Sequence, residues 1–198
     1  MRNSLQLRAA LAVAPDGDAC LAELQGIACL YDEPADRGDY FVQFAKGCFD
    51  ISAPVRFRLD HEAALDVGGT DTGELKLFDN FDGLRFVLRL PDTKMGRRAW
   101  REFQAGVRGM SVGAKIEDEE IRETRAGEQI STVYHAVVRE ISLVEYPGIA
   151  GCRAELIEPG VKREDEITPV ERLLRACTCE AERRFWTERA LEFGYALP

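Results

Sequence analysis

The chain has 198 residues, 45% of them hydrophobic and 31% charged, a composition that predicts one compact domain plus an appendage. Its formal net charge of -9 argues against strong nonspecific binding to nucleic acid or to an anionic membrane surface. The longest apolar run is too short for a membrane span, and no secretory signal is visible. We therefore expect a globular protein whose partners are neither nucleic acid nor membrane.

The first third of the chain reads as short strands. Residues 5–13 and 19–30 are apolar-rich and flank a Pro-Asp-Gly-Asp turn, which predicts a hairpin. A polar loop follows, and then a short aromatic strand over residues 40–44. Residues 46–50 predict a turn that leads into a brief helix.

The middle of the chain contains the clearest hairpin. Residues 55–59 alternate between apolar and basic side chains, as a half-buried strand does, and they end at Asp60-His61-Glu62. Residues 74–78 and 84–90 alternate again around a turn rich in Asp, Asn and Gly. Strands and turns thus continue as far as Pro91.

A helix and two long strands follow. Asp92-Thr93 offers an N-cap for a helix over residues 94–104. Residues 110–116 and 133–144 predict strands, and residues 117–129 predict a polar arm or solvated hairpin between them. Recurring strands with few helices favour a mainly β fold with peripheral helices, of the α+β class, built as a barrel or sandwich.

The composition changes near residue 158. Residues 159–198 combine a charged linker with a segment of helical spacing over 169–193. We therefore predict two parts, a domain over residues 1–158 and a helical tail over residues 159–198.

The six cysteines are expected to be mostly buried thiols in a reducing cytoplasm. Cys177 and Cys179 are separated by a single residue, a spacing that does not suit a zinc ribbon, and no second pair accompanies them. We expect neither a metal nor an organic cofactor.

Only two histidines are present, His61 and His135, so a mechanism that needs histidine has few options. His61 follows a strand and is flanked by acids, a position where sites are often built, although a lone histidine there is commonly just a surface residue. Ser111 lies in Gly-Met-Ser-Val-Gly, where the glycines leave space and backbone N–H groups beside the hydroxyl. On these residues alone, a buried strand serine hydrogen-bonded to its neighbour, with the glycines marking a bulge, is the favoured interpretation.

Glu140 interrupts an otherwise apolar strand, where a carboxylate is costly unless it is paired or exposed. It could orient His61, or it could form an ion pair with an arginine. His135 competes for the orienting role. Since His135 and Glu140 are five residues apart, an unbroken strand would point them to opposite faces, so at most one reaches the site.

Five blocks of sequence, in a fixed order, resemble those of the prohead proteases of tailed phages. They are the segment from Tyr40 to Asp50, Leu59-Asp60-His61-Glu62 with Val67-Gly68, the pair Gly83-Leu84-Arg85-Phe86 and Leu90-Pro91-Asp92-Thr93, Gly109-Met110-Ser111-Val112-Gly113, and Glu140-Ile141-Ser142-Leu143-Val144 with Pro147. The resemblance extends from about residue 24 to 155. It carries no information about the tail.

The resemblance implies a serine endopeptidase with a small closed β-barrel like that of herpesvirus assemblin. It implies catalysis by His61 and Ser111, with Glu140 as the third residue and His135 as the alternative. It further implies cleavage of the scaffold segment of the major capsid protein, and of the protease itself, inside the prohead assembling in the bacterial cytoplasm. A homo-oligomer is possible, and a non-catalytic assembly factor that kept the fold is the alternative function.

Overall fold

The structure, a computed structural model, describes residues 20–158, 163, 166–168, 171, 174, 177 and 179–192. Contacts within the chain divide it into one compact unit that ends at Ile157 and a second that begins at Glu158. The strand predicted over residues 5–13 lies outside the described residues, whereas its predicted hairpin partner is present as the first strand.

The first unit is built on one sheet of eleven strands. In chain order these are β1 (Cys20–Leu30), β2 (Ala35–Asp36), β3 (Phe41–Phe44), β4 (Phe49–Asp50), β5 (Arg56–Leu59), β6 (Asp66–Gly69), β7 (Leu75–Asn80), β8 (Gly83–Pro91), β9 (Gly109–Glu123), β10 (Gln129–Val144) and β11 (Arg153–Leu156). Helix α1 (Lys94–Gln104) connects β8 to β9, and a 3-10 turn, Ala63–Leu65, precedes β6. The prediction of a mainly β protein of the α+β class is confirmed.

Strand β10 organises the sheet because both of its edges are paired. One edge forms a long antiparallel ladder with β9. The other edge pairs in parallel with β3, β4 and β5 in succession. Its core-facing side chains are apolar, most of them β-branched as suits a central strand, and they are buried: Val133, Ala136, Val138, Ile141 and Leu143.

The closed barrel implied by the resemblance is not found, because the sheet is open among the described strands. The main ladder runs β2-β3-β10-β9-β11-β1-β8-β7, with β5 and β6 branching from β10, and no ladder joins β6 to β7. The turn between these two strands explains the gap. Gly69 donates its N–H to Thr72 Oγ1 at 3.0 Å and accepts from Gly73 N at 3.1 Å, so its backbone groups are used within the turn.

The prediction of a brief helix after the turn at residues 46–50 is also wrong. Cys48 N donates to Ala45 O at 3.1 Å, which closes the turn, and Phe49–Asp50 then forms β4 beside β10. Phe49 packs its ring against Phe44 with 4.9 Å between centroids. Burial of this ring in the core favours a strand over a surface helical turn.

Other predicted elements are confirmed. The hairpin of β7 and β8 turns at Asn80 and Gly83, which face each other across the ladder. Helix α1 begins after Thr93, whose side chain accepts from Gly96 N at 3.0 Å, as an N-cap does. Of the two forms predicted for residues 117–129, the hairpin is present, since β9 and β10 extend along each other and turn between Glu123 and Gln129.

The second unit contains helix α2 (Glu180–Glu192), within the segment of predicted helical spacing. A capping box begins an earlier helical stretch: Thr168 N donates to Glu171 Oε2 at 2.7 Å, and Glu171 N donates to Thr168 Oγ1 at 3.2 Å. No helix in the described part of the chain is long and apolar enough to cross a membrane.

Candidate active site

The turn after β5 places His61 in an unusual backbone conformation. Asp60 and His61 have φ values of 51° and 63°, in the left-handed region that residues with a side chain seldom adopt. Hydrogen bonds to β10 hold this turn: Asp60 N donates to Leu143 O at 3.1 Å, and His61 N donates to Ser142 Oγ at 3.2 Å. Strained backbone that the surroundings hold in place is typical of functional sites.

The imidazole of His61 contacts the carboxylate of Glu140. The distance between His61 Nδ1 and Glu140 Oε1 is 2.6 Å. The Glu140 side chain is 7% exposed and the His61 side chain 43%, so a buried carboxylate contacts an imidazole that solvent can reach. The other carboxylate oxygen, Oε2, accepts a hydrogen bond from Ser142 Oγ. Both oxygens of this buried carboxylate are therefore paired, and among the residues that the structure describes no arginine forms an ion pair with it.

Strand register brings Ser111 to the same patch. Ser142 on β10 lies directly opposite Ser111 on β9, and Glu140 lies opposite Gly113. Residues that face each other across an antiparallel ladder project from the same side of the sheet, with Cα atoms about 5 Å apart. Ser111 is partly buried, and its hydroxyl forms no hydrogen bond with any described residue.

Gly113 leaves the space that the carboxylate fills. A Cβ atom at this position would lie 2.1 Å from Glu140 Oε1, the same oxygen that bonds His61. The Glu140 side chain therefore extends across β10 onto β9, two residues from Ser111. It draws the imidazole toward the strand that carries the hydroxyl.

The structure thus brings together two of the three predicted site residues directly and the third through strand pairing. His61 and Glu140 are in contact, whereas His61 and Ser111 form no hydrogen bond. Such bonds are often long before substrate is bound.

His135 lies elsewhere. Bulges interrupt the β9–β10 ladder on either side of this residue, but its Nδ1 approaches Glu117 Oε2 at 3.3 Å on the exposed hairpin. His135 therefore makes its contact on the far part of β10, and Glu140 occupies the position beside His61.

Charged side chains of α1 border the His61 turn. Arg98 bonds Glu102 at 2.9 Å, and this bond raises the pKa of the guanidinium, with smaller contributions from the negative charges of Asp60 and Glu62. Helix α1 thus lies near enough to the turn for these charges to interact.

The backbone of Gly69 is a poor candidate for an oxyanion hole. Backbone N–H groups near residues 108–109, before Ser111, and in the Gly68-Gly69 turn are the two candidate sets of donors. Because the N–H of Gly69 is already donated to Thr72 Oγ1, it is not free to stabilise an oxyanion.

A small pocket adjoins Ser111. Its volume is about 20 Å³, enough for about one water molecule. Its lining is mixed, since Arg37 joins Ser111 and apolar side chains such as Met110 and Phe44.

Sequence reasoning missed Ser142 as part of the site. It is fully buried and bonds both His61 and Glu140. The available signal was its spacing: two polar residues, Glu140 and Ser142, alternate with apolar ones in β10 and so share a face.

Among the described residues, no group of three or more His, Cys, Asp and Glu side chains is placed to hold a metal ion.

Comparison with known proteins identifies the family of the chain. No curated protein matches the chain. The family described as caudovirus prohead serine protease matches residues 10–166, more than three quarters of the sequence. The chain belongs to the caudovirus prohead serine protease family.

Proposed function

We propose that this chain is the endopeptidase that cleaves the scaffold segment of the major capsid protein, using Ser111 as nucleophile, His61 as base and Glu140 to orient the base. Its family gives it the role of a capsid maturation protease. The observation that carries the residue assignment is the bond of 2.6 Å between Glu140 and His61 Nδ1, formed beside the strand pair that presents Ser111.

The contacts favour one assignment of protons. An ionised carboxylate can only accept hydrogen bonds, so Nδ1 of His61 carries the proton that faces Glu140 Oε1. The lone pair of Nε2 is then available to accept the Ser111 proton. Glu140 would stabilise the imidazolium that results.

The reaction would proceed in two steps, acylation of Ser111 and hydrolysis of the acyl-enzyme. His61 Nε2 takes the hydroxyl proton as Ser111 Oγ bonds the scissile carbonyl carbon. It returns this proton to the leaving amine when the C–N bond breaks, leaving an acyl-enzyme. Water then attacks the ester, again with His61 as base, and releases Ser111 and the carboxylic acid product.

The partner that we propose is the major capsid protein, met inside the prohead in the cytoplasm of the bacterial host. High local concentration there would favour cleavage in trans and self-cleavage. This part of the proposal predicts that dilution of the free enzyme lowers its specific activity; a specific activity that is independent of dilution would argue against activation by concentration.

The direct test is co-expression with the major capsid protein, with capsid-protein mass as the readout. We expect an N-terminal capsid segment to be lost with the wild-type chain and retained with Ser111→Ala. Ser131→Ala is the control, because Ser131 is likewise a serine in a strand of this sheet but is buried and bonds Glu119 on the β9–β10 hairpin. Normal assembly with unprocessed capsid protein for all three would favour the alternative, a non-catalytic assembly factor.

A further inference from the structure

We propose that Ser142 is a positioning residue that fixes both the acid and the base of the site. The inference rests on the proposed function of His61, Ser111 and Glu140 and extends it by a fourth side chain. Ser142 would touch no substrate atom. It would act through the two residues to which it is bonded.

The proton positions around Ser142 follow from its partners. A backbone N–H can only donate and an ionised carboxylate can only accept, whereas a hydroxyl has one proton and two lone pairs. The hydroxyl of Ser142 therefore accepts from His61 N, at 3.2 Å, and donates its only proton to Glu140 Oε2. Its hydrogen-bonding roles are fixed by the site, with no freedom to rotate to other partners.

This arrangement restrains Glu140. With Oε2 held by Ser142, the carboxylate cannot turn about its long axis, and Oε1 remains directed at His61 Nδ1 at 2.6 Å. The absence of a side chain at Gly113 leaves the space that this oxygen occupies. The hydroxyl thus selects the one carboxylate orientation in which the imidazole keeps its proton on Nδ1.

The same hydroxyl restrains the backbone of His61. The φ value of 63° is unfavourable for a residue with a side chain and persists only where the surroundings hold it. The bond from His61 N to Ser142 Oγ is one of the contacts that do so. Loss of the hydroxyl would therefore release both the Glu140 carboxylate and the His61 backbone, since both bond the same oxygen atom.

A matched serine is available on the same strand. Both serines are buried, with Ser131 1% and Ser142 0% exposed. The Ser131 hydroxyl also bonds a carboxylate, that of Glu119. Ser131→Ala therefore measures what it costs to delete a buried serine hydroxyl from β10 away from the site. Any further effect of Ser142→Ala belongs to the site.

The kinetic test uses a capsid-derived peptide and purified protein. We expect Ser142→Ala to lower kcat about 100-fold, as a displacement near 1 Å does, and to leave KM within about threefold. Ser131→Ala should leave both constants within about twofold of wild type. A general loss of folded protein would instead lower the apparent kcat of both variants in proportion to the unfolded fraction.

An isosteric pair keeps the test decisive if Ser142→Ala folds poorly. Ser142→Thr and Ser142→Val have the same shape and differ only in the hydroxyl, so their packing costs cancel. We expect the threonine variant to exceed the valine variant at least tenfold in kcat. Equal values in this pair would overturn the proposal.

A spectroscopic measurement separates this inference from the proposed function. Only two histidines are present, so ¹⁵N-histidine labelling gives two imidazole signal sets, and His135→Gln assigns them. We expect His61 in the wild type to be protonated on Nδ1, and in Ser142→Ala to shift toward a mixture of tautomers with His135 unchanged. An unchanged His61 spectrum together with wild-type kcat would overturn the role of Ser142 while leaving the triad intact.

Failure of the proposed function would look different. If the wild type and Ser111→Ala cleave capsid peptide equally, the nucleophile assignment is wrong. A tautomer shift in Ser142→Ala would even then support the hold of Ser142 on His61, and its absence would still overturn it.

Discussion

Substitution of Gly113 by alanine tests the geometry of the site without removing any of its polar groups. The added methyl carbon would lie 2.1 Å from Glu140 Oε1, whereas ordinary contact begins near 3.4 Å, so the oxygen must retreat by about 1.3 Å. Cδ and Cγ of Glu140 would also be too close, at 2.8 and 2.9 Å, so the whole Glu140 side chain must shift away from β9. A retreat of that size takes the 2.6 Å bond to His61 Nδ1 out of hydrogen-bonding range.

We expect Gly113→Ala to lower kcat/KM for a capsid peptide about 100-fold, because misplacement by roughly 1 Å costs that much. The displaced carboxylate is buried and loses a partner, so the free energy of unfolding should also fall by about 1 to 3 kcal/mol. Steady-state kinetics and denaturant titration measure the two quantities. In ¹⁵N-histidine spectra of the same variant, the imidazole signals of His135 are the internal control, because they should not change if the fold is intact. Wild-type kcat/KM in a folded Gly113→Ala protein would show that Glu140 need not contact His61 for activity.

Three further expectations concern other parts of the molecule. Glu140→Gln should lower kcat severely, on the order of 10³-fold or more, whereas His135→Ala should change it little; the opposite order, measured on the same peptide, would restore a histidine as third residue. Burial raises the pKa of Cys48 from 9.0 to about 12 and that of Cys152 from 9.0 to about 11. Thiols of the unfolded chain ionise at a lower pH than these buried thiols, so ionisation stabilises the unfolded state. The free energy of unfolding should therefore be maintained below about pH 9 and fall as the pH rises toward 11. Denaturant titrations that give the same free energy of unfolding at pH 8 and pH 11 would contradict this. Thr93→Ala removes the N-cap of α1 and should lower the free energy of unfolding by about 1 kcal/mol with unchanged kcat, as thermal unfolding and peptide assays would measure.

Local patterns predicted the elements well where the sequence signal is short-range. The β7–β8 hairpin has a polar turn between two alternating runs, and α1 has Thr93 before its first turn, so neighbours in sequence decide both. The prediction of a helix after residues 46–50 was wrong because only the turn depends on neighbouring residues. Whether a strand or a helix follows depends on pairing with β10, which lies far away in sequence. The open edge between β6 and β7 likewise depends on how Gly69 uses its backbone groups, which composition does not reveal.

The site was predictable only as a set of separate residues. The motif blocks pointed to His61, Ser111 and Glu140, but not to the register that places Gly113 opposite Glu140. The glycines beside Ser111 predict open space next to its hydroxyl, whereas the space at Gly113 is filled by the Glu140 carboxylate. Ser142 escaped notice because its role depends on a turn 81 residues earlier in the chain.

The roles proposed for His61 and Glu140 make activity depend on the parallel pairing of β5 with β10. The two residues are 79 apart in the chain, so they meet only when β5 has docked beside β10. A chain still emerging from the ribosome, or one in which β5 has detached, would hold its histidine without the acid proposed to orient it. Recovery of activity on refolding is therefore expected to lag behind recovery of strand content.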